Sequence, residues 1–141
     1  MRYLMDSSAI ILTLKWLKEK SVEALNGQAT LNLAYYEINN VIWKQCVGGS
    51  IKLQEAISRA KEVAQILEIM SIEELRLAEE LGEAMKCAIE QKLTFYDASY
   101  LQTAKSKNYV LVTEDKELLE KSKNVGVKAV TVSEFLNFIK R

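Results

Sequence analysis

Tyr109-Val110-Leu111-Val112-Thr113, followed at once by Glu114-Asp115, is the stretch on which the fold turns. Five residues without a charge, rich in β-branched side chains, read as a strand covered on both faces. A helical pattern from Phe95 to Lys107 leads into it. A short helix from Lys116 to Lys121, a turn at Asn124 to Gly126, a strand from Val127 to Val132 and a last helix from Ser133 lead out. The chain opens in the same way. Tyr3-Leu4-Met5 reads as a short strand ending at Asp6, and Ser7-Ser8 open a helix carrying Ile10, Ile11, Leu14 and Leu17. Strands that alternate with helices predict an α/β fold with a mainly parallel sheet. In such sheets ligands bind beyond the carboxyl ends of the strands, so the residues just after each strand carry the functional information.

Between these ends, Gly27 marks a turn and Ala29 to Leu33 a second strand. A helix with Tyr36, Ile38, Val41, Ile42 and Trp43 stops at Gly48-Gly49. Ser50 is the expected N-cap of a helix from Ile51 to about Leu67. Glu68-Ile69-Met70 is the expected edge strand. Ser71, with Glu74 three positions on, has the pattern of a capping box for a long helix through Glu90. The 141 residues suit one domain, and no repeat or Gly/Ser/Pro-rich linker divides them.

Composition removes much chemistry. There is no His, which excludes a Ser-His-Asp triad, a Cys-His pair and His-ligated zinc. Two Cys, 41 positions apart, cannot hold a cluster or a four-Cys zinc. They are expected free and buried, in a reducing cytoplasm. A charge at Asp6 comes too early for a signal peptide, and no apolar run reaches membrane length. Carboxylates, hydroxyls and amides remain, and these suit Mg²⁺ or Mn²⁺. Net charge is zero, so any attraction to nucleic acid must be local.

The acids are 16 Glu and only three Asp. Every Asp falls where the fold would gather it: Asp6 after the first strand, Asp115 just past the Tyr109–Thr113 strand, Asp97 in the helix feeding that strand. Glu37 lies at the start of the helix after the second strand. Singly, Asp6 and Asp115 could serve as helix caps and Glu37 as a surface acid. Asp97 shares a helix stripe with Leu93, Tyr100, Leu101 and Ala104, where a charge needs a partner or a cation. Four acids gathered without a base repel one another unless a divalent metal lies among them.

The residues also resemble a family. Leu4-Met5-Asp6-Ser7-Ser8-Ala9 is similar to the opening Asp-x-Ser motif of PIN-domain nucleases. Leu33-Ala34-Tyr35-Tyr36-Glu37-Ile38 resembles the segment carrying their Glu. Phe95-Tyr96-Asp97-Ala98-Ser99-Tyr100-Leu101 is similar to their Tyr-Asp-Ala-x-Tyr-Leu helix, and Leu111-Val112-Thr113-Glu114-Asp115 to their strand-end Thr-x-Asp. Size and motif order resemble the VapC-type toxin of toxin–antitoxin pairs. The resemblance implies a PIN-like three-layer α/β/α domain over residues 1–141 with a four- to five-stranded, mainly parallel sheet. It implies an endoribonuclease whose Asp6, Glu37, Asp97 and Asp115 hold one or two Mg²⁺ or Mn²⁺ ions. RNA as substrate and an antitoxin protein as partner come from the resemblance; the acids alone do not distinguish RNA from DNA. A homodimer is expected, and no membrane association.

Around the acids, Ser8, Asn40 and Thr113 are candidates to orient a carboxylate, a water or a phosphate. Ser7 is read as part of a helix cap, and Lys44 and Lys116 as surface lysines within possible reach of phosphate. Tyr35, Tyr36, Tyr96 and Tyr100 could stack bases, with core or dimer packing the preferred use for Tyr96 and Tyr100. The apolar stripes between Ile51 and Glu90 suit the domain, a second copy or an antitoxin helix. Two other Asp-dependent folds fail on spacing: a haloacid-dehalogenase-type phosphatase needs Asp at position 8, and a receiver module needs one between Asp6 and Asp97. The alternatives left are a PIN-like protein that only binds, and an RNA-processing nuclease without an antitoxin.

Overall fold

A computed structural model describes residues 1–140. Its elements in chain order are β1 (Tyr3–Met5), α1 (Ser7–Leu17), α2 (Ser21–Leu25), β2 (Ala29–Leu31), α3 (Leu33–Val47), α4 (Leu53–Glu68), β3 (Ser71–Glu73), α5 (Ala78–Gln91), α6 (Phe95–Lys107), β4 (Val110–Val112), α7 (Lys116–Lys121), β5 (Ala129–Val130) and α8 (Val132–Ile139). The five strands form one sheet in the order β3-β2-β1-β4-β5. Every pairing is parallel. β1 and β4 lie side by side at the centre, with Tyr3 opposite Val110 and Met5 opposite Val112.

The period-two alternation of a strand sends neighbouring side chains to opposite faces. Tyr3, Met5, Val110 and Val112 join Ile10, Ile38, Leu67 and Phe135 in one apolar layer. Leu4, Leu31 and Leu111 join Leu101, Ala98 and Cys87 in the other. The result is the expected three-layer α/β/α arrangement, with helices on both sides of an all-parallel sheet. Each fully buried Leu or Val of these layers contributes roughly 1.5–3 kcal/mol of apolar transfer.

Three expected elements are corrected. The edge strand is Ser71–Glu73, not Glu68–Met70, which ends α4 and turns. Ser71 therefore caps no helix. Residues 71–73 pair with β2, Ala29 opposite Ser71 and Leu31 opposite Glu73. This tertiary pairing overrides the local cap pattern. α5 starts instead at Ala78, where Glu80 accepts from the backbone N–H of Leu77 at 3.0 Å and of Arg76 at 3.3 Å. Ser50 does not cap α4; Lys52 occupies that position without a side-chain bond. Cys87 is buried and free as expected, but Cys46 is only half-buried. α6 coincides with the expected Phe95–Lys107. Thr94 caps its start by accepting from Asp97 N–H, and Asn108 ends it in the left-handed region at φ 59°.

Candidate active site

The site is built where β1 and β4 end. Asp6 follows β1, and its backbone N–H reaches Val112 O at 3.1 Å. Its Oδ1 accepts from Ala9 N–H at 2.9 Å, which caps α1, and from Ser8 Oγ at 2.6 Å. Thr113 Oγ1 donates to its Oδ2. Asp6 is 5% exposed. Among the described residues no Lys or Arg pairs with it. Burial pushes its carboxyl up to about 6, against the pull of the Ser8, Thr113 and Ala9 bonds, and the charge of Asp97 adds to the rise.

Thr113 ties the two strand exits together. While donating to Asp6, its hydroxyl accepts from Asp115 N–H at 3.0 Å. Ser8 makes a parallel link, accepting from Glu114 N–H at 3.1 Å. Asp115 Oδ1 accepts from Glu117 N–H at 2.8 Å and Leu118 N–H at 3.2 Å, so one of its oxygens caps α7.

Glu37, the fifth residue of α3, lies just past the helix's first turn. Its Oε1 accepts from Ser7 Oγ at 2.7 Å and from Tyr100 OH at 2.9 Å. Tyr100 is 1% exposed. Burial and the Glu37 charge push its phenol above the usual range, so it stays a neutral donor. Asp97 stands one turn before Tyr100 on α6. Burial raises its carboxyl, and Asp115 and Glu37 raise it further. These influences put Asp97 within electrostatic reach of Asp6, Glu37 and Asp115. α1, α3, α6 and α7 all begin here, and the positive ends of their dipoles offset part of the acid repulsion.

Asn40 is exposed on α3 and makes no side-chain hydrogen bond among the described residues. Lys44 and Lys116 are exposed. Ser7 is not the expected cap: Asp6 caps α1, and the Ser7 hydroxyl donates to Glu37. Tyr100, expected in core or dimer packing, is buried and also bonds Glu37. Its spacing of three from Asp97 on one helix was the available signal.

The donor set fits a hydrated divalent cation. All potential ligands are carboxylate oxygens, suited to hard ions. Among the described residues no three of them close on one point at ligand distance. Mg²⁺ keeps several waters and needs only one or two carboxylates directly, which matches acids gathered but not touching.

A PIN domain match covers residues 3–124. Exonuclease VapC9 of Pyrobaculum aerophilum is 35% identical over 125 residues, covering 86% of each chain. Ribonuclease VapC3 of the same organism is 31% identical over 126 residues, 86% of this chain and 95% of that one. The crystal structure of PAE2754 from Pyrobaculum aerophilum superposes with a TM-score of 0.81 at 31% identity, over 100% of this chain and 98% of that one. A toxin–antitoxin complex from Klebsiella pneumoniae shares the fold, with a TM-score of 0.63 at 17% identity over 92% and 97% of the two chains. The topology, the motif positions at the strand exits and these likenesses converge: the chain belongs to the PIN-domain family.

Proposed function

We propose that this chain is a metal-dependent endoribonuclease and the toxin of a toxin–antitoxin pair, acting in the cytoplasm as one domain over residues 1–141. The observation that carries the reading is Asp6: a carboxylate 5% exposed, raised to about 6, with the charge of Asp97 adding to the rise and no Lys or Arg paired with it among the described residues. Such a group is costly for stability alone and is explained by a divalent ion.

Asp6, Glu37, Asp97 and Asp115 would hold Mg²⁺ or Mn²⁺, one ion or two, partly through water. When bound, the ion supplies charge neutralisation at the scissile phosphate and lowers the pKa of a water that attacks it. The chain's own work is positional. Ser8 and Thr113 fix both oxygens of Asp6, Thr113 aligns the β4 exit that carries Asp115, and Ser7 and Tyr100 fix Glu37.

The antitoxin is supported by the VapC relatives and by an exposed apolar stripe on α5, Leu81, Met85 and Ile89, continued by Leu77 before the helix. No helix among the described residues is long and apolar enough to cross a membrane. A homodimer is the other occupant of such stripes.

Cleavage of a structured RNA with Mg²⁺ or Mn²⁺, with and without EDTA, tests the reading. Wild type should cut, and Asp6→Asn and Asp97→Asn should not. Equal activity in these variants would sink the site. A circular RNA separates the modes: internal cleavage linearises it, whereas an exonuclease, the activity in the name of VapC9, leaves it intact.

A further inference from the structure

All pairings in the sheet are parallel, so β1, β4 and β5 begin at the end away from the acids. A recess of about 400 Å³ opens at that end, and Arg2, Lys105, Asn108, Tyr109, Val127 and Lys128 are among the residues that line it. Three of these are cations, and no Asp or Glu lines the recess among the described residues. In a chain with 19 acids and 19 bases this is a local imbalance. Arg2, Lys105 and Lys128 form no ion pair among the described residues. Lys107, the neighbour of Asn108, differs: Glu73 holds its ammonium at 3.0 Å.

Arg2 is the anchored member. Its guanidinium lies 4.4 Å over the Tyr109 ring, and its Nη2 donates to Lys107 O at 2.6 Å. A guanidinium carries five N–H donors, so most of this fork stays open. Lys128 stands just before β5, with its ammonium 5.3 Å from the Phe138 ring. Lys105 lies in the last turn of α6, where a cation suits the helix dipole. That accounts for Lys105 and leaves Lys128, on another element, without a use. The end of α6 is also already served. Ala104 O accepts from the N–H groups of Asn108 and Tyr109, and Arg2 covers Lys107 O. The Arg2 charge reaches Glu73, but Lys107 and Tyr109 hold that carboxylate directly.

We propose that the recess binds a small phosphate-bearing molecule, its phosphate on the open edge of the Arg2 guanidinium and its remaining charge met by Lys105 and Lys128. A planar guanidinium matches two phosphate oxygens at once, and exposed lysines turn toward an anion as point charges. The volume falls at the small end of ligand pockets, between pyrophosphate and a mononucleotide in kind. A nucleic-acid strand crossing the surface needs no recess. The site lies at the opposite end of the sheet from the acids and stands apart from the nuclease reading.

Calorimetric titration of the whole chain with pyrophosphate, in metal-free buffer, tests this. One site per chain is expected. AMP and inorganic phosphate form the other arms: tighter binding of AMP than of phosphate assigns the ligand to nucleotides, and equal binding assigns it to the phosphate group alone. Arg2→Gln and Lys128→Gln should each weaken binding about tenfold. Arg2→Lys should restore only part of the loss, because it lacks the fork. Lys128 makes no hydrogen bond among the described residues, so its variant keeps the test open should Arg2→Gln fold poorly. Lys116→Gln, at the acid end, should bind as wild type does. Amide NMR shifts on titration should gather at Asn108, Tyr109, Val127 and Lys128 and spare Asp6 and Asp97. Absence of binding at millimolar pyrophosphate overturns the proposal. So do shifts gathered at the acid end, or Arg2→Gln and Lys128→Gln proteins that bind as tightly as wild type. A single-stranded RNA that shifts the same amides and binds more tightly than AMP overturns it too, and assigns the recess to nucleic-acid backbone.

Discussion

The molecule holds two carboxylate centres that solve the burial of charge in opposite ways. At the end of β3, Glu73 accepts from Lys107 Nζ at 3.0 Å and from Tyr109 OH at 2.8 Å. Arg2 lies 4.4 Å over the Tyr109 ring. Partial burial works against the Glu73 charge, but Tyr109, Lys107 and Arg2 outweigh it and hold the carboxyl below its usual range. Asp6 has hydroxyl and amide donors of similar quality and no cation among the described residues, and its carboxyl rises. Hydrogen bonds alone therefore do not settle a buried acid in this chain; a cation does. Glu73 carries its own. For Asp6 and its three companions the divalent ion of the proposed function would be that cation.

Exchanging each acid for its amide is the sharpest way to break this contrast. Asp6→Asn keeps an oxygen for the α1 cap yet removes the charge. RNA cleavage should fall by at least about 10³-fold, some 4 kcal/mol of transition-state stabilisation, while circular dichroism stays native. Glu73→Gln should do the reverse. Cleavage should stay within about twofold, and stability to urea should drop by about 1–2 kcal/mol as a charged hydrogen-bonded group is lost. A Glu73→Gln variant that cannot cut, or an Asp6→Asn variant that cannot fold, would erase the distinction between the centres.

The pH dependence should also differ in sign. In metal-free protein Asp6 binds its proton more tightly when folded, at about 6, than its ordinary value of 3.8. Its contribution to stability is whole below pH 3.8 and is lost as pH rises through 6; the loss is on the order of 3 kcal/mol. Asp97, also raised, acts in the same direction. Glu73, lowered, stabilises above its ordinary 4.5 and ceases to do so as pH falls through its folded value. Urea titrations in EDTA should therefore show Asp6→Asn gaining on wild type between about pH 4.5 and pH 7.5. A constant difference across that range would mean that Asp6 is not held in the way its burial implies.

The difference between the centres tracks what could be read in one dimension. The Phe95–Lys107 helix was legible because Thr94, Asn108 and its apolar positions all act locally. β1, β4 and the acids beyond them were legible because a strand followed by a charge needs no partner to be recognised. β3 was not. Ser71 and Glu74 carry a true capping pattern, and only the empty edge of β2, some 40 residues earlier, makes strand the better state for residues 71–73. The hydroxyl network failed for the same reason. Ser7 meets Glu37 and Tyr100 from 30 and 93 positions away, and nothing within its own turn foretells either. The lysine that neutralises Glu73 comes from 34 positions on.

Metal should abolish the contrast. Added Mn²⁺ at about 100 times its dissociation constant should stabilise wild type by about 2.7 kcal/mol, read as a rise of several degrees in Tm. Glu73→Gln should show the same rise from a lower start. Asp6→Asn and Asp97→Asn should show much less. A rise common to all four proteins would mean that the ion binds elsewhere.

The smallest expected effects compare the two phenols. Tyr100 and Tyr109 each donate to a carboxylate, at 2.9 and 2.8 Å. At Glu73 the ammonium of Lys107 remains when the phenol is gone, so Tyr109→Phe should leave cleavage unchanged and cost about 1 kcal/mol of stability. At Glu37 the phenol shares Oε1 with Ser7, and no Lys or Arg pairs with that carboxylate among the described residues. Tyr100→Phe and Ser7→Ala should each lower metal affinity and cleavage about tenfold, as expected for groups that orient a ligand. Because both hydroxyls hold the same oxygen and lie 3.1 Å apart, either can partly replace the other. The double variant should then lose more than the product of the single losses. Losses that simply multiply would show that Ser7 and Tyr100 act independently, and that Glu37 is fixed by its helix rather than by the pair.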